Sequence, residues 1–198
     1  MVDQPTDIMI RQKTRIMKPS EYKLLRNEMN PRHQLILDGL LYTGMRVEEF
    51  WRFMNNPEWF KPARRVIDLP KGSILKVKAK QKERTVMLSF RGTQAIERLV
   101  EGIKKGEVKA ITRIAFNRAL HRGAEKAGIG KTGITSKMMR KTLISWLMAT
   151  LEDQKAHLLI AVSSGHDLNT LATHYLGLGF PRNEMDAMKE HIVGWGGT

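Results

Sequence analysis

The sequence lacks cysteine, long apolar runs and a secretory leader. With no cysteine among its 198 residues, disulfides, thiolate nucleophiles and zinc–thiolate sites are excluded. No stretch approaches the roughly 18 consecutive apolar residues that a membrane span requires. The start, which contains Asp3, Gln4, Pro5 and Asp7, is unlike a secretory signal. These absences predict a cytoplasmic protein that does not insert into a membrane.

Acidic residues are scarce relative to basic ones. Lysine and arginine number 34 against 20 aspartates and glutamates, which gives a net charge of +14 and a pI near 10.2. Such an imbalance favours a polyanionic partner, because each cation that neutralises a phosphate releases a condensed counterion. Nucleic acid is therefore the favoured partner. The alternative is that the chain is a basic protein of another kind, such as a ribosomal or membrane-surface protein. The charge balance carries no information on catalysis.

The composition and the first helical pattern predict one folded domain that begins near residue 19. Hydrophobic residues make up 41% of the chain, which is enough for a sizeable core. Residues 1–17 are polar and mixed, and we expect a loose lead-in there. Pro19 and Ser20 precede Glu21 and an apolar pattern, which predicts a helix with a serine cap and an acid in its first turn.

Downstream, the apolar periodicity changes from helix to strand and back to helix. Residues 31–53 have helical spacing interrupted at Gly44, which predicts two helices with a turn at the glycine. β-prone runs predict an antiparallel sheet of three strands, at 65–69, 74–78 and 85–89. Helical spacing then resumes at about 93–104, 111–127, 136–150, 155–162, 168–175 and 182–193. The expected fold class is α+β, mainly α with a small antiparallel three-stranded β-sheet.

Tyr175 ends a segment with an informative pattern. For an arbitrary tyrosine, a place in the core is the usual interpretation. Here Gly165-His166 leads into a helical stretch in which Leu171 can pack while Tyr175, nine positions after the histidine, projects from the far end. This arrangement resembles the last signature box of the tyrosine recombinase and integrase family. That box ends in the nucleophilic tyrosine, so the resemblance implies that Tyr175 is a nucleophile and His166 a catalytic residue.

Residues 136–142, Ser-Lys-Met-Met-Arg-Lys-Thr, resemble the second box of the family. That box is usually His-x-x-Arg followed by His or Lys and then Thr, so Arg140 falls on its arginine and Lys137 on its histidine. Lysine can donate to a phosphate oxygen, but it is a poorer proton acceptor near neutral pH unless its pKa is lowered. Taken alone, the segment is equally typical of a helix start with surface basic residues.

Residues 43–50, Thr-Gly-Met-Arg-Val-Glu-Glu-Phe, resemble the first box of the family. The box is Thr-Gly-Leu-Arg followed by an acidic residue and an apolar helix, and here methionine replaces leucine. The resemblance implies that Arg46 is the first catalytic arginine. It puts the acid of the box at Glu49, which would support the helix or the arginine. By itself, Gly-x-Arg is also an ordinary helix-cap pattern.

The lysine-rich stretch between the second and third predicted strands resembles the family's Gly-Lys-Gly-x-Lys-Glu-Arg turn. Aligned on residues 82–84, Lys-Glu-Arg, the family's lysine falls on Ala79; a turn shorter by one residue makes it Lys80. By resemblance, this lysine protonates the 5′ oxygen that leaves when a DNA strand is cut. We assign that role to Lys80, and Lys78 and Lys82 remain alternative candidates. The alternative is a solvated run of charge.

The boxes follow the order of the family over residues 19–180. The resemblance therefore implies a tyrosine recombinase catalytic domain there, with residues 1–18 as a lead-in and 181–198 as a C-terminal helix and tail. Its activity would be site-specific recombination or integration of double-stranded DNA through a 3′-phosphotyrosine intermediate. Members usually carry an N-terminal DNA-clamping domain, so we expect this chain to hold little more than the catalytic half, as a fragment or a minimal enzyme.

Cleavage of a phosphodiester by a tyrosine explains why these residue types would lie in one site. Arg46 and Arg140 would bind the scissile phosphate, because guanidinium groups stay protonated and present a fork of donors. His166 or Lys137 would add a donor. Tyr175 would attack in line, and its ordinary pKa near 10 requires help from positive charge. No metal or other cofactor is implied, and the sequence has no dense Asp/Glu/His cluster. The implied DNA-contacting residues are Arg46, Lys80, Lys82, Arg84, Lys137, Arg140 and Lys141.

Three matters stay open at this stage. The C-terminal helix either docks on a neighbouring protomer, as in a dimer or tetramer on DNA, or packs on its own domain. A type IB topoisomerase uses nearly the same residues, and a catalytically impaired DNA-binding homologue would fit the lysine at Lys137. The target DNA sequence, and the choice between viral or plasmid integration, excision and chromosome-dimer resolution, do not follow from these motifs.

Overall fold

The computed structural model describes residues 8–73, 80–81, 83–175 and 177–197, and this part of the chain is mainly helical. The α+β class is confirmed. Within these residues no helix is both long and apolar enough to cross a membrane. The helices are α1 (Pro19–Asn27), α2 (Pro31–Thr43), α3 (Val47–Asn55), α4 (Phe90–Lys104), α5 (Arg113–Lys126), α6 (Met138–Thr150), α7 (Gln154–Ser164), α8 (Leu168–Tyr175) and α9 (Arg182–Ile192).

Among the described residues the strands are short and form three antiparallel ladders. Their bounds are β1 (Ile10–Arg11), β2 (Thr14–Arg15), β3 (Phe60–Lys61), β4 (Val66–Leu69), β5 (Gly72–Ser73), β6 (Lys80–Gln81) and β7 (Arg84–Met87). The central sheet has the order β3-β4-β7, so its outer strand β3 was not predicted from the sequence. A second ladder pairs β5 with β6, and the predicted strand at 74–78 lies outside the described residues.

The two helices predicted around Gly44 are confirmed. Gly44 takes a left-handed conformation with φ of 55°, which reverses the chain at the end of α2 and which glycine adopts without steric cost. Its N–H donates to the carbonyl oxygen of Leu40 at 3.2 Å. Arg46 then becomes the residue that caps α3. The glycine therefore fixes where the first-box arginine stands.

The predicted serine cap of α1 is wrong. The cap is Lys18, and Ser20 lies inside the first turn. Pro19 fits the first helical position because a donor is not needed there, and the Glu21 carboxylate accepts from the Lys18 N–H at 3.0 Å. The Ser20 hydroxyl donates instead to Glu184, at the start of α9.

The part of the expected lead-in that the structure describes, residues 8–17, is not loose at its end. Ile16 and Met17 are fully buried. The Met17 N–H donates to Thr142 Oγ1 at 3.0 Å, and its carbonyl accepts from Trp146 Nε1 at 2.9 Å. Residues 10–17 therefore form a hairpin and a buried segment against α6, because their apolar end completes the core.

Helix α9 packs on its own domain in this chain, against α1, α4 and α6. Met188 and Ile192 on the helix, and Trp195 just after it, are buried. Burial of three large apolar side chains stabilises this arrangement by several kcal/mol relative to exposure, at roughly 1.5–3 kcal/mol each. Docking of this helix on a neighbouring protomer stays a prediction.

The tight packing around Gly39 in α2 can be tested. A Cβ added at Gly39 in α2 would lie 2.5 Å from Phe50 Cζ and 3.1 Å from Leu99 Cδ2. We predict that Gly39→Ala lowers the free energy of unfolding in urea by about 1–3 kcal/mol through overpacking, in spite of the better helix propensity of alanine. Gly179→Ala is the control, because a Cβ there meets nothing within 4 Å. Equal stability of Gly39→Ala and the wild type would contradict the packing.

Candidate active site

A cleft of about 430 Å³ opens where the start of α3, the start of α6 and the end of α8 come together. It is lined by the predicted site residues Arg46, Lys137, Arg140, Lys141, His166 and Tyr175. A larger groove of about 740 Å³ lies between α1, α4 and α9 and is lined by none of the predicted site residues. The smaller cleft is therefore the candidate active site.

Glu49 is the buried centre of an ion-pair network beside the cleft. Its side chain is 1% exposed and accepts from Arg46 Nη1 at 2.8 Å. Arg84 binds it through two nitrogens, Nη1 to Oε1 at 3.1 Å and Nη2 to Oε2 at 2.6 Å. Burial alone would raise the pKa of Glu49, but the hydrogen bonds and charges of Arg84 and Arg46 outweigh it and lower the pKa to about 2. Glu49 is therefore ionised and orients Arg46.

Arg84, one of the predicted DNA-contacting residues, is bound to Glu49 and to the main chain in this structure. Its side chain is 6% exposed, and its Nε donates to the carbonyl oxygen of Ser163 at 3.0 Å. Together with the two bonds to Glu49, this contact joins β7 to α3 and to the end of α7. These contacts engage three of the five N–H donors of Arg84, so Arg84 acts on the site by positioning Glu49, and its contact with DNA stays a prediction.

Arg140 is anchored mainly by main-chain oxygens. Its Nη1 donates to the Gly44 carbonyl at 2.8 Å and its Nη2 to the Ser164 carbonyl at 2.7 Å. Nη2 also lies 3.1 Å from His166 Nε2. Burial, with the neighbouring charge of Arg46, lowers the pKa of Arg140 to about 10, which still leaves the group charged at neutral pH. The buried cation is therefore held at the floor of the cleft.

His166 is neutral at physiological pH in this arrangement. Burial, followed by the charges of Arg140 and Arg46, lowers its pKa to about 4. Because a guanidinium can only donate, His166 Nε2 must accept from Arg140, which assigns the ring proton to Nδ1. Nδ1 lies 3.2 Å from Ser164 Oγ, so that hydroxyl is its acceptor. The predicted catalytic histidine thus has a defined tautomer.

Tyr175 ends α8 and faces the same cleft. The residue is 6% exposed, and its ring centroid lies 5.8 Å from that of His166. Burial raises the pKa of Tyr175, while Arg140 and Arg46 act in the opposite direction. The positive charge expected near the phenol is therefore present, but in the free protein burial has the larger effect.

The predicted lysines divide into those at the cleft and those beyond the described residues. Lys137 is exposed at the cleft and caps α6. Lys141 Nζ donates to the carbonyl of Arg11 at 2.9 Å. Lys78 and Lys82 lie outside the described residues, and for Lys80 only the backbone, paired with Ser73, is described.

The predicted site residues included neither Gln12 nor His174. Gln12 and His174 both line the cleft and lie 3.1 Å apart, Nε2 to Nδ1. Gln12 falls in the segment predicted to be a lead-in, where no motif marks it. His174, next to Tyr175, could have been found from its position alone.

Comparison with solved structures identifies the fold. No family model and no curated protein matches the sequence. The structure is similar to XerA recombinase, with a TM-score of 0.64 and 17% identity over 93% of this chain and 66% of that one. It is also similar to the Tn1549 transposon integrase in complex with transposon right end DNA, with a TM-score of 0.63 and 14% identity over 93% and 67%. This chain has the tyrosine recombinase catalytic-domain fold.

A third solved structure agrees with that fold. XerH site-specific recombinase bound to difH substrate matches with a TM-score of 0.54 and 17% identity, over 91% of this chain and 55% of that one. The chain thus spans between 55% and 67% of the length of these three tyrosine recombinase chains. The expected tyrosine recombinase fold is confirmed, and the assignment of site residues rests on the geometry of the cleft.

The Glu49 network gives a pH-dependent prediction. The pKa of Glu49 is about 2 in the folded chain and 4.5 in the absence of its neighbours, so the carboxylate stabilises the fold above pH 4.5 and loses that effect as pH falls towards 2. We predict that Glu49→Gln is less stable than wild type by about 3 kcal/mol at pH 7, and that the difference shrinks between these two pH values.

The measurement is urea unfolding of both proteins across the pH range. Glu48→Gln is the matched control, because Glu48 is exposed and pairs with Arg113 at 3.2 Å, where an ion pair contributes under about 1 kcal/mol. A deficit of Glu49→Gln that stayed constant with pH would contradict the ionised state of Glu49.

Proposed function

We propose that this chain is the catalytic domain of a tyrosine recombinase that cleaves and rejoins DNA strands in site-specific recombination or integration. The observation that supports this function is that one cleft is lined by Arg46, Arg140, His166 and Tyr175, which come from widely separated parts of the chain. A hydroxyl nucleophile beside two arginines fits attack on a phosphodiester. The partner is double-stranded DNA, on which the chain acts as a dimer or tetramer.

The arginines retain donors for a phosphate. A guanidinium has five N–H donors. In Arg140, three of them account for the contacts with Gly44, Ser164 and His166, which leaves two. The Arg46 side chain is 39% exposed in the cleft and has one Nη on Glu49. Both cations would bind the non-bridging oxygens, whose charge grows in the pentacoordinate transition state.

The reaction is an in-line exchange of one phosphate ester for another. Tyr175 Oη forms a bond to phosphorus as the bond from phosphorus to the 5′ oxygen breaks. The phenol loses its proton to solvent in the open cleft, and the departing oxygen gains one from Lys80, for which Lys78 and Lys82 are the alternatives. The products are a 3′-phosphotyrosine link and a free 5′ hydroxyl. Rejoining is the reverse reaction with a new 5′ hydroxyl, and it needs no metal or other cofactor.

DNA as the partner is supported by charge and by the solved structures. The net charge of +14 favours a polyanion. The similar Tn1549 integrase is in complex with transposon right end DNA, and XerH is bound to difH substrate. The chain would accordingly act on DNA in the cytoplasm.

Tyr175→Phe tests the nucleophile. We predict that this variant binds a nicked suicide duplex with unchanged affinity and forms no covalent adduct, because only the phenol oxygen is lost. Denaturing gels of the trapped complex and mass spectrometry of the modified peptide measure the adduct. Tyr42→Phe is the matched control: Tyr42 contacts His191, 2.7 Å from Oη to Nδ1, away from the cleft, and it should keep the adduct.

Each other outcome of the adduct assay has a definite meaning. An adduct that persists in Tyr175→Phe would remove Tyr175 as nucleophile. If folded wild-type protein binds DNA but forms no adduct, the chain is a catalytically impaired homologue. Relaxation of supercoiled DNA without site preference would favour the type IB topoisomerase.

Arg46→Gln tests the phosphate-binding role. We predict a fall of about 10²–10³-fold in the rate of adduct formation at saturating DNA, because one cation is lost from the transition state. Arg98→Gln removes the same charge from the groove between α1, α4 and α9 and should leave the rate unchanged. The measurement is single-turnover cleavage. A rate loss equal in the two variants would indicate an effect of net charge alone.

A further inference from the structure

The turn between β1 and β2 is strained in a way that the local sequence does not explain. Ile10 pairs with Arg15 and Arg11 with Thr14, so only two residues form the turn. Both have positive φ, 48° at Gln12 and 59° at Lys13. Two-residue turns of this kind favour Asn-Gly, since side chains other than Asn and Asp rarely adopt left-handed conformations. Contacts outside the turn must therefore stabilise it, and strain of this sort is often found at functional sites.

The Gln12 side chain supplies such contacts, and its orientation is determined by its partners. Lys141 Nζ lies 3.1 Å from Gln12 Oε1 and 2.9 Å from the Arg11 carbonyl. Because an ammonium group can only donate, the carboxamide oxygen of Gln12 must face Lys141. The amide nitrogen then faces His174 and donates to Nδ1 at 3.1 Å. Gln12 thus bridges two side chains through both ends of its amide.

The contacts of Gln12 with Lys141 and His174, called the Gln12 bridge below, join the two helices that carry the proposed chemistry. Lys141 follows Arg140 in α6, and His174 precedes Tyr175 in the last turn of α8. Arg11 adds a second contact to the same turn, from Nη1 to the Thr173 carbonyl at 3.5 Å. The hairpin therefore contacts α8 at the residues immediately before the tyrosine.

We propose that Gln12 is a positioning residue that fixes the last turn of α8 relative to α6, and thereby the Tyr175 hydroxyl relative to the phosphate-binding arginines. The catalytic part of this inference rests on the proposed function. Reaction rates fall steeply when a nucleophile is misplaced by as little as about 1 Å, so the Gln12 bridge, next to the nucleophile, affects the chemical step. Gln12 itself need not touch the reacting atoms.

Two substitutions of Gln12 separate the Gln12 bridge from the strain of the turn. Gln12→Ala removes both amide contacts. Gln12→Asn adopts the left-handed conformation more readily than glutamine, but its side chain is one methylene too short to span Lys141 and His174. Lys13→Ala is the matched control, because it changes the neighbouring turn residue, which also has positive φ and does not line the cleft.

The expected results concern both rate and local opening. With each Gln12 variant, adduct formation at saturating suicide duplex should slow by roughly 5- to 10-fold, the size expected for loss of a side-chain hydrogen bond, with the affinity for DNA unchanged. Amide hydrogen exchange within residues 168–175 should accelerate by a similar factor, because α8 loses its contact with the hairpin. Lys13→Ala should change neither quantity.

A double-mutant cycle adds a readout that a general structural effect would not produce. Gln12→Ala and His174→Ala should be non-additive in rate, because each removes the same contact. His174→Gln keeps an acceptor oxygen and should recover most of the rate that His174→Ala loses.

Three results would overturn the inference: unchanged exchange and rate in both Gln12 variants, full additivity in the cycle, or an equal effect of Lys13→Ala. If the wild-type protein forms no adduct, the proposed function fails. Hydrogen exchange in 168–175 then decides by itself whether Gln12 fixes the helix.

Discussion

The ion pairing of the buried Glu49 carboxylate with two arginines is the interaction on which the site most depends. The carboxylate binds Arg46, which faces the cleft, and Arg84, which comes from the sheet and also contacts the Ser163 carbonyl. Two cations close to a third, Arg140, would repel one another without this negative charge, because all of them are partly or wholly removed from water. The network therefore keeps a cluster of positive charge assembled in the free chain, and it links the sheet to the helices that line the cleft.

Much of this arrangement could be predicted from the sequence, because the boxes are local. The turn at Gly44 fixes Arg46, and the helix after His166 fixes Tyr175, so each residue needed only the few residues around it. The predicted helix bounds agree closely with those of the structure for the same reason, since helical periodicity is a property of neighbouring residues. What the sequence analysis missed depends on contacts between distant segments. Nothing near Gln12 indicates that it meets α8.

The features that the sequence analysis did not foresee have a common physical origin. The lead-in was expected to be loose because its residues are mixed and polar, yet Ile16 and Met17 are buried by packing on α6. Arg84 was predicted to contact DNA because it is a cation in a basic turn, and its ion pair with an acid from another element could not be foreseen from that turn. In both cases the local sequence limits the contacts that a residue can make, and packing with a distant segment determines which contact forms. The described structure supplies that partner.

Arg140 leads to a different consequence, which concerns change over evolutionary time. Its firmest bonds go to the carbonyl oxygens of residues 44 and 164, and every amino acid has a carbonyl oxygen. Substitutions at the serine would leave that acceptor where it is as long as the backbone keeps its course. A cation anchored in this way depends on the path of the chain and little on the side chains beside it. Such anchoring is one physical route by which an active-site arrangement can outlast almost complete replacement of the surrounding sequence.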